Sequence, residues 1–186
     1  NRLTEIHLHA EDGTQLKTTE IQTPGDDQIN NQLVDMGNGR FVLHYQIHDD
    51  FPGDNPMGQA LQILDYDGNP IGSQLQTNFG DYNNHRSDII ALNDHNLATV
   101  KIQTQGDEAF LKFEVVNIQE HIDNNGISMS GAHIHSFETG LTGNLELIET
   151  EDGLLITFGD GDTFYLAELG SDGQLINAPR PILTGI

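Results

Sequence analysis

Two short acidic segments carry residues that could bind a metal cation through oxygen atoms. Their candidate ligands are Asp65, Asp67 and Asn69 in the first segment, and Asp160 and Asp162 in the second. Carboxylate and amide oxygens at alternate positions are ligands that calcium prefers. Both segments also contain glycine, and Asp-Gly pairs form tight hairpin turns without any metal. The pattern therefore predicts calcium loops or simple hairpin turns at these two places.

Histidine is the second type of candidate ligand. The chain has 9 histidines, and two pairs follow the His-x-His pattern, His7 with His9 and His133 with His135. Residues two apart lie on one face of a β-strand, and two imidazoles on one face can hold a transition metal with further ligands. We take His133 and His135 as the candidate pair. Polar strand-face histidines without a metal are the alternative.

No motif in the sequence identifies a reaction. A Gly-x-Ser-x-Gly nucleophile elbow and a glycine-rich phosphate loop are both absent, and there are no cysteines. A catalytic triad or a pair of glycosidase carboxylates could still assemble from distant residues. We assign no catalytic or cofactor-binding residue and favour a protein that is not an enzyme.

Charge excludes several classes of partner. The chain has 29 acidic and 7 basic residues, for a net charge of −22. A field of that sign repels nucleic acids and anionic membranes. No segment reaches the ~18 apolar residues that would cross a bilayer, so we predict no membrane insertion. The acidic side chains then serve solubility, bind calcium, or face a basic protein partner.

The elements that would position these residues repeat along the chain. Asp-Gly or Asn-Gly turns recur with a period of roughly 55 residues, and the runs between them alternate apolar and polar residues as strands do. The chain holds three copies of four strands each, and two more strands precede the first copy, giving fourteen strands. The leading pair is predicted at Leu3–Ala10 and Gln15–Thr23. One full copy is predicted at Ser87–Leu92, Leu97–Thr104, Phe110–Ile118 and Gly131–Phe137.

Alternation along residues 41–48 predicts a half-buried strand. Phe41 and Tyr45 lie on its apolar face, so we expect His44 and His48 on the opposite, solvent-facing side. Helical periodicity is nearly absent, and Val116–His121 is the best helical stretch.

The phrases GNGRFVLHYQ, ALQILDYDGNPIGSQLQTN and DIIALNDHNLATVKIQ resemble repeats of large secreted bacterial proteins. These include calcium-dependent adhesins and extracellular proteins with haemolysin-type calcium repeats. The resemblance covers nearly the whole chain, although the tryptophan expected in the second strand is absent. It implies four-stranded β-propeller blades, a secreted or periplasmic location, and calcium as the cofactor.

We therefore expect one all-β repeat domain over residues 1–186, a β-propeller-like array of about three and a half four-stranded blades. An irregular β-sandwich is the alternative. The expected function is a non-enzymatic binding or structural module that contacts a protein or glycan through its loops, with Asp49–Gly58 and Glu120–Ser130 as candidate loops. Two alternatives remain: a metal-dependent or glycan-cleaving enzyme, and an acidic subunit of a larger assembly. The first residue is not Met, so we expect a processed chain, or a fragment that further repeats or another chain completes.

Overall fold

A computed structural model describes residues 2–10, 12–23, 27–48, 58–77, 83–105, 108–124, 128–137, 145–170 and 174–185. The fold is all-β, with one short helix among these residues. The strands form four open antiparallel sheets, which we call sheets A to D in chain order.

Sheet A has two strands and the other three sheets have four each. Sheet A contains β1 (Arg2–His9) and β2 (Gln15–Thr23). Sheet B contains β3 (Asp27–Gly37), β4 (Arg40–His48), β5 (Gly58–Asp65) and β6 (Pro70–Thr77). Sheet C contains β7 (Asn83–Ala91), β8 (Asn96–Gln105), β9 (Glu108–Asn117) and β10 (Ser128–Phe137). Sheet D contains β11 (Leu145–Thr150), β12 (Gly153–Asp160), β13 (Thr163–Gly170) and β14 (Leu175–Thr184).

Within the part of the chain that the structure describes, the predicted fourteen strands and their grouping into one pair and three sets of four are confirmed. Within every sheet, each strand pairs with the next one along the chain, so tight turns join most neighbours. Corresponding turns close with the same backbone hydrogen bond, from Ala10 N to Thr14 O at 2.8 Å and from Asp65 N to Asn69 O at 2.9 Å. Gly13 and Gly68 have positive φ in these turns, a conformation that favours glycine. These two turns therefore have the same hydrogen bond and the same use of glycine.

Neighbouring sheets pack face to face, as the sheets of a β-sandwich do. Three apolar clusters lie between sheets A and B, between sheets B and C, and between sheets C and D. The A–B cluster is centred on Ile21, Leu43, Tyr45, Ala60 and Leu64. The B–C cluster includes Val42, Leu61, Ile63, Ile89, Leu97 and Val116. The C–D cluster includes Val100, Leu111, Phe113, Leu154, Ile156 and Phe158. Sheets B and C are thus covered on both faces.

This packing corrects the prediction of half-buried strands. His44 was expected at the surface, but its side chain is buried, with 1% of its area exposed. Sheet C covers the side of β4 opposite Tyr45, so both faces of that strand lie in the interior. The His44 Nδ1 atom lies 3.2 Å from Gln32 Oε1, a hydrogen bond of the kind that buried polar groups require. The side chain of His48 lies outside the described residues.

A helix is present near the predicted helical stretch, but it begins and ends later in the chain. Helix α1 spans Ile118–Asn124 rather than Val116–His121, because Val116 and Asn117 still pair with β8 and β10. The Asn117 side chain caps the helix by accepting a hydrogen bond from Glu120 N at 3.0 Å. At its other end, His121 Nε2 contacts the Ser73 carbonyl of sheet B at 2.8 Å.

The structure describes little of the first candidate binding loop, Asp49–Gly58, and most of the second, Glu120–Ser130. Residues 49–57 lie outside the described residues, and Gly58 begins β5. The segment Glu120–Ser130 is not a loop throughout, because its first residues belong to α1 and its last residues to β10. Among the described residues, no helix is long and apolar enough to cross a membrane.

The first strands of sheets B, C and D are linked by one carboxylate. The Asp88 side chain of β7 accepts a hydrogen bond from Gln32 Nε2 of β3 at 2.7 Å and another from Leu147 N of β11 at 2.8 Å. Hydrogen bonds to a charged acceptor are stronger than those between neutral groups. This contact holds three successive sheets together along their first strands.

Replacing Gly153 with Ala should strongly destabilise the fold. Its φ of 152° is unfavourable for other residues, and an added Cβ would collide with the carbonyl oxygen of Leu169. We expect a loss of more than about 2 kcal/mol in the free energy of unfolding, measured by urea denaturation. The control is Gly39→Ala, where φ is 86° but nothing lies within 4 Å of the new methyl group. That control should lose about 1 kcal/mol, and an equal loss in both variants would contradict the collision argument.

Candidate functional site

The first predicted calcium segment forms the turn between β5 and β6. The Asp65 carboxylate accepts hydrogen bonds from the backbone and side-chain nitrogens of Asn69, both at 2.7 Å. The side-chain bond and then the backbone bond lower the pKa of Asp65, because they favour its charged form. Both carboxylate oxygens are thus engaged in closing the turn.

The positive charge at this turn comes from a lysine side chain of the protein. The Lys17 ammonium of β2 donates to the Asp67 carbonyl at 2.8 Å and to Asn69 Oδ1 at 2.5 Å. This contact links sheet A to sheet B. Calcium binding by Asp65, Asp67 and Asn69 stays a prediction, and a calcium ion using the Asn69 oxygen would have to displace the ammonium.

The second acidic segment contributes to a contact between sheets C and D. His135 Nε2 of β10 lies 3.0 Å from Asp160 Oδ2 at the end of β12. The two side chains are 21% and 8% exposed. The other carboxylate oxygen, Asp160 Oδ1, is buried and has no hydrogen-bond partner in the described part of the chain. His135 of the predicted transition-metal pair therefore contacts Asp160 of the predicted calcium segment.

Aromatic rings surround this His–Asp pair. The His135 ring lies 5.0 to 5.2 Å, between centroids, from the rings of Phe137, Phe158 and Tyr165. Such packing limits the rotation of the imidazole and excludes water from one side of it. The pair could orient a proton donor or supply two ligands to a metal.

The sequence predicted His133 as the partner of His135 and Asp162 as the partner of Asp160. The backbone register of β10 shifts between His133 and His135, so the former pairs with Lys112 and the latter with Leu111. The bulge interrupts the two-residue alternation on which the predicted shared face depends, and the His133 side chain lies outside the description. Asp162 is exposed in the next turn, where its carbonyl accepts a hydrogen bond from Gly185 N at 2.8 Å.

A buried charge cluster was missed by the sequence reasoning. Lys101 of β8 is fully buried and forms an ion pair with Glu114 of β9, whose other oxygen lies 2.6 Å from Lys112 Nζ. By strand register, Lys101 occupies the place that Tyr45 has in sheet B and Phe158 has in sheet D. Comparing the three copies position by position could have revealed a lysine where two aromatic residues stand.

Burial and charge compete within this cluster. Burial lowers the pKa of Lys101, and the nearby Glu114 carboxylate opposes part of that effect. Burial alone would raise the pKa of Glu114, but the two ammonium groups outweigh it and hold the pKa below its ordinary value. We therefore treat Lys101 and Glu114 as an internal ion pair that is closed to ligands.

A small open cleft lies between sheets C and D, beside the β7–β8 and β11–β12 turns. Its volume is about 240 Å³. Leu92 and Asn93 line one side, and residues 149–151 line the other with two exposed glutamates. Asn93 is held in place because its Oδ1 accepts hydrogen bonds from the backbone of His95 and Asn96. The cleft is suited to a small polar group at the edge of a larger ligand.

No protein-family model, no curated protein and no solved structure matches this chain. Within the described ranges, no group of three or more His, Asp or Glu side chains is placed to hold a metal ion.

Removing one member of the buried ion pair should cost more stability than removing both. We expect Lys101→Met to lose about 3 kcal/mol, because Glu114 is left buried with only Lys112 as a partner. The double variant Lys101→Met/Glu114→Leu should recover most of that loss, as measured by urea denaturation. The control Lys112→Met removes a more exposed lysine and should lose less than about 1 kcal/mol. Additive losses in the double variant would show that the two groups are not coupled.

The Glu114 carboxylate should make the stability of the fold sensitive to acid. The folded-state pKa of Glu114 lies below its ordinary value of 4.5, so its stabilisation is complete above 4.5 and is lost as the pH falls through the lower value. The difference in unfolding free energy between native protein and Glu114→Gln should shrink over that range. Chemical denaturation at several pH values measures this, with the exposed Glu149→Gln as the control. A difference independent of pH would contradict the assignment.

Proposed function

We propose that this chain is a non-enzymatic binding or structural module whose sheets are arranged as the blades of a β-propeller-type array. The observation that supports this most directly is that consecutive sheets pack through an apolar cluster three times, between sheets A and B, B and C, and C and D. Strand order within each four-stranded sheet is also the same, and the first strands β3, β7 and β11 succeed each other in contact. Radial repetition of four-stranded sheets is the propeller plan.

The ionic side chains that could do chemistry support a scaffold role. Lys101 and Glu114 neutralise each other inside sheet C, and Asp88 joins three strands. Asp65 closes a turn that Lys17 fastens to sheet A. These groups hold the stack rigid, and a rigid stack displays its turns in fixed positions.

The cleft between the β7–β8 and β11–β12 turns is where we place ligand contact. Its lining combines apolar Leu92 and Leu154 with polar Asn93, Glu149 and Glu151. Such a lining fits hydroxyl-rich or basic groups, as a glycan or a basic protein segment would offer. An extracellular or periplasmic bacterial location, and calcium as a stabilising ion, belong to this proposal through the resemblance of the repeats.

An enzyme is the second candidate, and one contact favours it. The His135–Asp160 pair at 3.0 Å leaves a buried carboxylate oxygen without a described partner. A histidine oriented by a carboxylate is an arrangement used in general acid–base catalysis and in metal binding. An acidic subunit of a larger assembly is the third candidate, favoured by the net charge of −22.

Ligand binding should depend on the cleft and leave the ligand unchanged. The protein is screened on a glycan array and against basic peptides, and any ligand found is tested against Glu149→Gln/Glu151→Gln. Binding should weaken by tenfold or more, about 1.4 kcal/mol. The matched control Glu5→Gln/Glu20→Gln removes two charges from the outer side of sheet A and should bind normally. Cleavage of the ligand, seen by mass spectrometry, would overturn the non-enzymatic proposal.

Metal titrations separate the calcium and zinc hypotheses. If calcium occupies the β5–β6 turn, the melting temperature of the native protein rises with calcium, and Asp65→Ala abolishes the rise. If His135 and Asp160 bind a transition metal, zinc raises the melting temperature instead, and His135→Ala abolishes that rise. A melting temperature unaffected by either ion rejects both metal sites.

A further inference from the structure

Sheet A corresponds to the second half of the other sheets. The β1–β2 turn closes from Ala10 N to Thr14 O, the β5–β6 turn from Asp65 N to Asn69 O, and the β13–β14 connection from Gly170 N to Gln174 O. By this correspondence β1 is a third strand and β2 a fourth strand. In sheets B and D the third strand pairs on both sides. Among the described residues β1 pairs with β2 alone, so its other edge is open.

The exposure of one leucine supports this correspondence independently. Leu33 of β3, Ile89 of β7 and Leu147 of β11 occupy the same position, because each pairs with the residue two places before the buried Tyr45, Lys101 or Phe158. Ile89 and Leu147 are each 4% exposed, but Leu33 is 53% exposed. The preceding four-stranded sheet covers the first two. Sheet A has only β1 and β2 among the described residues, so nothing described covers Leu33.

We propose that the open edge of β1 accepts an antiparallel pair of strands of the first-and-second-strand type found in this chain. The second strand of the pair hydrogen-bonds to β1 and the first covers Leu33. This is β-strand addition at an unpaired edge. The inference extends the proposed blade arrangement and does not depend on what the turns bind.

The chemistry of the occupant follows from β7–β8. On β8, Ala98, Val100 and Ile102 face the following sheet, so the occupant carries small or β-branched apolar residues towards sheet B. Lys101 lies on the opposite face and pairs with Lys112.

The β1 residue that corresponds to Lys112 is Glu5, which lies five positions before the turn residue Ala10, as Lys112 does before Asn117. A lysine at the Lys101 position would therefore stand opposite a glutamate. Opposite charges directly across a strand pair are stabilising, and the exposed outer side of sheet A already carries polar side chains. The occupant thus carries an apolar face towards sheet B and, on its opposite face, a basic residue across from Glu5.

The test adds such a strand pair to the protein. A copy of residues 83–105 is fused to the N-terminus through a flexible Gly/Ser linker, and amide hydrogen exchange of β1 is followed by NMR. We expect β1 amides that face the open edge to exchange at least about tenfold more slowly. The melting temperature should also rise by several degrees.

Three matched variants make the result decisive. A fused copy carrying Val100→Asp and Ile102→Asp should give no protection, because its inner face can no longer pack on sheet B. Leu33→Ser in the recipient should reduce the protection, since the covered leucine is lost. Glu5→Lys in the recipient should reduce it as well, by placing like charges across the new pair.

Equal exchange of β1 in the fusion and in the Val100→Asp/Ile102→Asp control would overturn the inference. So would an unmodified protein that self-associates with its β1 amides already protected, because a second copy would then occupy the edge. A failed fusion would leave the ligand test at the C–D cleft unaffected, so the two proposals can fail separately.

Discussion

Each inner sheet of this protein carries apolar side chains on both faces, so it needs a neighbour on each side. Strand β8 shows the constraint most clearly, because Leu97 packs towards sheet B while Val100 and Ile102 pack towards sheet D. A sheet that buries both faces cannot be stable alone in water. Four sheets therefore fold as one stack, and the stability of each depends on the packing of the next.

The same constraint decides the fate of the polar residues. A charged side chain on a doubly covered sheet must find its partner inside the protein, because water does not reach it. Lys101 is neutralised by Glu114, and Asp88 accepts hydrogen bonds from strands on either side. His135 and Asp160 also meet across two sheets, with their side chains 3.0 Å apart between sheets C and D. Residues that resemble reactive or metal-binding groups in the sequence are used here to join sheets.

The surfaces that remain open are at the ends of the sheets and at their edges. The cleft beside Asn93 and Glu149 lies at turns, where exposure is compatible with a rigid core. The open edge of β1 and the exposed Leu33 beside it are of another kind, because they continue the strand pairing and packing of the stack itself. A ligand at the cleft would be contacted by side chains, whereas a partner at the edge would be bound mainly through backbone hydrogen bonds.

The sequence by itself determined the all-β class, the fourteen described strands and their grouping, because turn residues such as Gly13 and Gly68 and the alternation between them are local signals. Only the tertiary structure decided which strand faces are buried. The burial of His44 depends on sheet C, whose strands follow those of sheet B in the chain, and alternation within one strand does not reveal that a second sheet covers its other face. The His135–Asp160 contact likewise depends on a bulge and on a neighbouring sheet, and no local spacing records either.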